Sequence, residues 1–101
     1  MKYQVSDDGN TVTALISGQM TFDDRAQASA MGDELTKGSA SGIILDLSQV
    51  DYMDSAGLGI LLTLREKAQA KGVVIALKGA SGSVKEVLEL ACFDTLFAFD
   101  S

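Results

Sequence analysis

Apolar and polar positions change period several times along the chain, and each change marks an element. Residues 2–6 read as a short strand, and Asp8-Gly9-Asn10 supplies turn chemistry after it. In residues 11–17, Val12, Ala14 and Ile16 alternate with Thr11, Thr13 and Leu15, as a half-buried strand requires. The pair predicts a β-hairpin whose second strand ends at Gly18. Residues 21–38 ("TFDDRAQASAMGDELTKG") read as a surface helix. Thr21 is its cap, Asp23 and Asp24 occupy the first turn, Lys37 precedes a terminating Gly38, and the apolar stripe of Ala28, Met31 and Leu35 is thin.

The second half is more apolar. Residues 41–48 ("SGIILDLS") form a continuous run, apolar but for Asp46 and bounded by small residues, the signature of a covered central strand. A helix from Ser55 to Lys71, closed by Gly72, precedes a second buried strand, "VVIALKG". In "SVKEVLELACF", Val84, Val87, Leu88 and Ala91 fall at i, i+3, i+4 and i+7, and Ser83 with Glu86 has capping-box spacing. The tail "LFAFDS" has room for a last short strand. Strands separated by helices require parallel crossovers, so the expected architecture is α/β: a mixed sheet with an opening hairpin and packed helices. In such sheets function gathers at the carboxyl ends of central strands, and here that place is the loop with Asp51, Asp54 and Ser55.

Composition narrows the function classes. The chain has 101 residues, 47% of them hydrophobic, and neither proline nor a linker-like tract, which points to one domain over residues 1–101. Its one cysteine, Cys92, reads as a small buried hydrophobe in a reducing compartment. No apolar run is long enough for a membrane span, and "MKYQVSDDGN" lacks the apolar core of a signal peptide, so a cytoplasmic location is expected. A net charge of −6 with no basic cluster disfavours nucleic acid and anionic membranes and suits a partner with a basic face. The absence of histidine removes the Ser-His-Asp triad and imidazole metal sites, and no cofactor is expected.

The stretch "DLSQVDYMDSAGLG", residues 46–59, leaves three roles open for Ser55. As a helix cap its hydroxyl would accept from a free N–H of Gly57 or Leu58, worth about 0.5–2 kcal/mol against alanine. As a nucleophile it would need the turn G-x-S-x-G, but Met53 stands in the first glycine's place and no histidine can take the proton. As a phosphate acceptor it would sit where a helix N-terminus tolerates negative charge, adding close to two charges beside Asp54 and Asp51 without unfolding the chain. On the helix that follows, Leu58, Ile60, Leu61, Leu62, Leu64 and Ala68 sweep an arc of about 200°, wider than one buried stripe needs. Arg65 lies within that arc and can snorkel to its edge. Part of this apolar surplus packs on neighbouring helices, and the part nearest Ser55 can serve a partner.

"ILDLSQVDYMDSAGLGILL", Ile44 to Leu62, resembles the signature of the STAS domain, in particular that of bacterial anti-sigma factor antagonists. The resemblance extends over nearly the whole chain, through "VVIALKGAS" to the closing helix and "FDTLF". It implies that Ser55 is the phosphorylated residue, with Asp54 its acidic neighbour. It also implies a partner, an anti-sigma factor with a GHKL-type ATPase fold that doubles as the serine kinase, and a PP2C-type phosphatase that resets the switch. ATP and magnesium would belong to the kinase. The expected partner surface comprises Asp54, Gly57, Leu58 and Ile60 from the motif, with Thr21 and Asp23 from the preceding turn, on a monomer that is not an enzyme. One departure stands out: where relatives carry a turn such as G-E-L-D, this chain has "GQMTFDD", with its acids displaced to Asp23 and Asp24. The alternative within the same family is a scaffold that is never switched, in a stressosome-like assembly or beside a transporter.

Overall fold

The computed structural model describes residues 1–100. Five strands, β1 (Lys2–Asp7), β2 (Thr11–Met20), β3 (Gly42–Met53), β4 (Val74–Lys78) and β5 (Ala98–Asp100), form one sheet in sequential order. β1 pairs antiparallel with β2, and every other pair is parallel. The crossovers carry α1 (Arg25–Thr36), α2 (Ser55–Ala70) and α3 (Gly82–Leu90), with single 3-10 turns at Phe22–Asp24 and Phe93–Thr95. Right-handed crossovers in sequential order place all three helices on one face of the sheet. The register shows the result. The rows Val12–Ile43–Ile75 and Ala14–Leu45–Leu77 are buried beneath the helices, while Thr13–Ile44–Ala76 and Leu15–Asp46–Lys78 line the other face.

The core closes around these rows. Met31 and Leu35 of α1, Ile60, Leu61 and Leu64 of α2, and Val84 and Leu88 of α3 are buried against the strands. Each such side chain stabilises the fold by roughly 1.5–3 kcal/mol relative to exposure. α1 therefore buries a face that looked thin in sequence. A Cβ on its Gly32 would stand 2.8 Å from the side chains of Leu64 and Lys67, so α1 approaches α2 there as closely as glycine allows. A Lys67–Asp33 ion pair at 2.8 Å spans the same junction.

Four expectations need correction. β2 does not end at Gly18. The register shifts on both sides of that residue, which takes a positive φ of 85°, and the strand continues to Met20 as a bulged strand. β3 likewise runs past Ser48 to Met53, so Asp51 belongs to a strand and not to a loop. Its buried positions after the irregularity, Leu47, Val50 and Met53, are spaced by three, which hides the strand from a period-two reading. α3 starts at Gly82 with Ser81 at its cap position, placing Ser83 and Glu86 inside the helix. Cys92 is exposed: it takes a left-handed conformation with φ of 59° just beyond α3, which turns its side chain away from the core.

Candidate functional site

β2 and β3 finish side by side, with Met20 paired to Met53, and the chain enters α2 directly from that edge. The Asp54 N–H donates to the Met20 carbonyl at 3.3 Å, which fixes the turn to the end of β2. Asp54 has extended backbone geometry, and its carboxylate accepts the Gly57 N–H at 3.0 Å. The cap of α2 is therefore Asp54, and Ser55 is the first residue of the helix. The capping role considered for Ser55 belongs to its neighbour. The Ser55 side chain is exposed, and among the described residues nothing hydrogen-bonds to its hydroxyl. The neighbouring Asp54 carboxylate is turned back onto its own helix, where it accepts the Gly57 N–H, and among the described residues no base is hydrogen-bonded to the Ser55 hydroxyl.

Gly57 and Gly59 differ in kind. Gly57 is buried, and a Cβ there would overlap the Met53 side chain and stand 2.6 Å from the Met20 carbonyl oxygen. The fold needs that glycine to bring α2 down onto the strand ends. Gly59 is exposed in the middle of the helix, and a Cβ would meet nothing within 4 Å. Of the remaining expected surface residues, Leu58 is half-buried against the core, and Ile60 is buried at 4% exposure. Gly57 and Ile60 thus set the position of the surface from beneath.

The β2–α1 turn forms the other wall. Asp24, not Asp23, organises it: its carboxylate accepts the Thr21 N–H at 2.8 Å, the Thr21 hydroxyl at 3.1 Å and the Met1 ammonium at 3.0 Å. The Thr21 backbone bond is the main reason its pKa lies below the ordinary aspartate value, with burial opposing and the Met1 ammonium adding to the effect. Thr21 is half-buried, whereas Asp23 projects into solvent, as does Asp51 near the end of β3.

Sequence reasoning passed over two aromatic residues. Phe22 is 59% exposed and Tyr52 49% exposed, and both flank the end of the sheet where Ser55 stands. The Arg25 guanidinium lies 3.7 Å from the centre of the Phe22 ring, and its Nε donates to the Phe22 carbonyl at 3.1 Å. The available signal was one aromatic residue inside the motif, Tyr52, and one in the β2–α1 turn, Phe22, each with an acidic neighbour. Among the described residues no helix is long and apolar enough to cross a membrane.

Known proteins show the same architecture. The chain superposes on an anti-sigma factor antagonist from Mycobacterium paratuberculosis with a TM-score of 0.84 at 19% identity, covering 97% of this chain and 83% of that one. It superposes on the unphosphorylated anti-sigma factor antagonist SpoIIAA with a TM-score of 0.80 at 19% identity, covering 99% and 89%, and SpoIIAA from Bacillus has also been solved phosphorylated. A sulfate transporter family protein from Wolinella succinogenes matches with a TM-score of 0.76 at 20% identity, covering 89% and 76%. In sequence, a STAS-domain containing protein of Pseudomonas aeruginosa is 37% identical over 54 residues, and the match spans about half the length of each protein. Residues 4–101 match the family described as the STAS domain, and the chain belongs to that family.

Proposed function

We propose that this STAS domain is a phosphorylation-switched antagonist of an anti-sigma factor. In its unphosphorylated form it binds and sequesters a partner that combines an anti-sigma factor with a serine kinase of GHKL-type ATPase fold. Phosphorylation of Ser55 releases that partner, and a PP2C-type phosphatase restores the binding form. The carrying observation is the division of labour at the start of α2: Asp54 caps the helix, so the exposed Ser55 hydroxyl has no structural duty. A hydroxyl free of the fold can be modified without unfolding it, and a phosphate placed beside Asp54 and Asp51 changes the charge a partner meets. The likeness to SpoIIAA, solved in both forms, supports this reading. The chain supplies the switch and not the catalyst, and it acts as a cytoplasmic monomer.

The likeness to a transporter family protein favours a second reading, a constitutive scaffold in which Ser55 carries no signal. Retrieval from host extract with wild type, Ser55→Ala and Ser55→Asp as baits separates the two. A switch retrieves an ATPase-type kinase with the first two and loses it with Ser55→Asp. Equal retrieval by all three baits means a scaffold.

A further inference from the structure

We propose that the free edge of β1 pairs with the same edge of a second copy of this chain, antiparallel and centred on Val5. The single chain remains the form that acts on the kinase as proposed above, and the pair is a weak assembly of the free protein, independent of that reading. β1 ends the sheet and pairs with β2 alone. The Asp8 N–H donates to the Thr11 carbonyl at 3.2 Å, so these two residues are a hydrogen-bonded pair of the hairpin. Such pairs alternate with non-bonded ones along an antiparallel ladder. Ser6, Gln4 and Lys2 therefore turn their main-chain groups toward β2, and Tyr3, Val5 and Asp7 turn theirs outward. Outward N–H and carbonyl groups on an end strand are a template for another strand.

Edge strands are commonly blunted by shortness, proline, a bulge or a charge at mid-strand. β5, at the opposite end of the sheet, is three residues long. β1 has six residues, no proline and an uninterrupted register with β2. A hollow of about 620 Å³ lies along its first half, lined by Lys2, Tyr3 and Gln4 of the strand and by Gln27 of α1, so α1 stands back from the edge there. The middle of β1, from Tyr3 to Ser6, is uncharged, and the charges stand at its two ends. That arrangement selects the occupant. Pairing about Val5 opposes every outward N–H to an outward carbonyl and sets Lys2 against Asp8 of the second copy, at both ends of the seam. The Asp8 carboxylate is already held in place by the N–H groups of Asn10 at 3.0 Å and Thr11 at 2.7 Å. Neither it nor Lys2 belongs to the two ion pairs among the described residues. On the helix face Val5, half-buried against the core, meets its own counterpart. Moving the centre to Gln4 or Ser6 also opposes outward groups, but it sets Lys2 against Ser6 or Asn10 and loses the ion pairs. A seam one strand long belongs to the small, transient class of interfaces.

Sedimentation equilibrium of the full chain over a rising concentration series reads the pairing, with a thermal melt of every variant. The apparent mass should climb from 10.6 kDa toward twice that value. Lys2 is exposed, so Lys2→Glu should melt as wild type and pair at least tenfold more weakly. Asp8→Lys should also pair weakly, and an equimolar mixture of the two variants, which restores opposite charges at both ends, should regain wild-type pairing. Because Asp8 also holds its turn, a second measurement fixes the register without it. In a Cys92→Ser background, Gln4→Cys and Ser6→Cys replace exposed residues that face each other as a close non-hydrogen-bonded pair across the seam. Under mild oxidation their mixture should form the mixed disulfide at least tenfold faster than either variant forms its own. A mass that stays at 10.6 kDa throughout overturns the proposal, as does wild-type pairing in Lys2→Glu. Disulfides of Gln4→Cys or Ser6→Cys with itself that outpace the mixed one place the seam in another register and overturn it too.

Discussion

The Asp54 carboxylate accepts the Gly57 N–H at 3.0 Å, and among the described residues the adjacent Ser55 hydroxyl takes no part in the hydrogen bonding of the fold. Removing the cap and removing the hydroxyl should therefore have different consequences. Asp54→Ala is expected to lower stability by about 1 kcal/mol, which for a domain of this size shifts the melting temperature by roughly 4–8 °C. Ser55→Ala should stay within about 0.5 kcal/mol of wild type. Urea denaturation of both variants decides the matter. A larger loss for Ser55→Ala would return the capping role to the serine.

The two glycines of the motif should separate as sharply. Gly57→Ala forces a methyl group against the Met20 carbonyl and the Met53 side chain, so overpacking should cost about 1–3 kcal/mol or more. Gly59→Ala has open space and gains helix propensity, so its stability should hold or rise by up to about 1 kcal/mol. Chemical denaturation gives both values, and equal losses would show that α2 sits differently on the strand ends.

Binding and folding should separate at Phe22 and Ile60. Ile60 is 4% exposed, so Ile60→Lys places a charge in the core and should unfold the domain, seen as loss of the cooperative melt. Phe22 is mostly exposed, so Phe22→Ala should melt normally yet bind the kinase at least tenfold more weakly, as aromatic anchors at interfaces do. Normal affinity in Phe22→Ala would remove the β2–α1 turn from the interface.

Acid should loosen the turns before the core. The pKa values of Asp24 and Asp8 are lowered in the fold, Asp24 chiefly by the Thr21 N–H and Asp8 chiefly by the N–H groups of Thr11 and Asn10. A carboxylate whose folded pKa lies below its unfolded value contributes stability that is complete above the unfolded pKa. That contribution disappears as pH falls through the folded pKa. Stability should therefore be flat from neutral pH down to about 5 and fall below about 4. Asp24→Asn should remove part of that acid dependence. An unchanged pH profile in this variant would mean that Asp24 does not hold the turn through its charge.

Much of the architecture was legible because it is written locally. Val12, Ala14 and Ile16 alternate, the run from Ile43 to Leu47 is apolar but for Asp46, and Val84 and Leu88 repeat at helical spacing. Turn residues at Asp8-Gly9-Asn10 and Gly72 punctuate these elements. Less legible were features whose cause lies far along the chain. β2 continues through Gly18 because β3 pairs with it across a bulge, a partner more than twenty residues away. Cys92 reads as core from its neighbours, yet one left-handed residue turns it outward.

By itself the sequence determined the order of strands and helices, the mixed sheet, the family motif and the place of a serine hydroxyl at the carboxyl edge of the central strand. Hydrophobic period and turn chemistry act over a few residues, and a one-dimensional reading can see them. Tertiary structure alone decided that Asp54 and not Ser55 caps α2, and that Gly57 is packed against Met20 while Gly59 faces open space. These outcomes depend on which atoms meet across elements distant in sequence, and two neighbouring residues of similar local propensity acquire different roles only when those meetings occur.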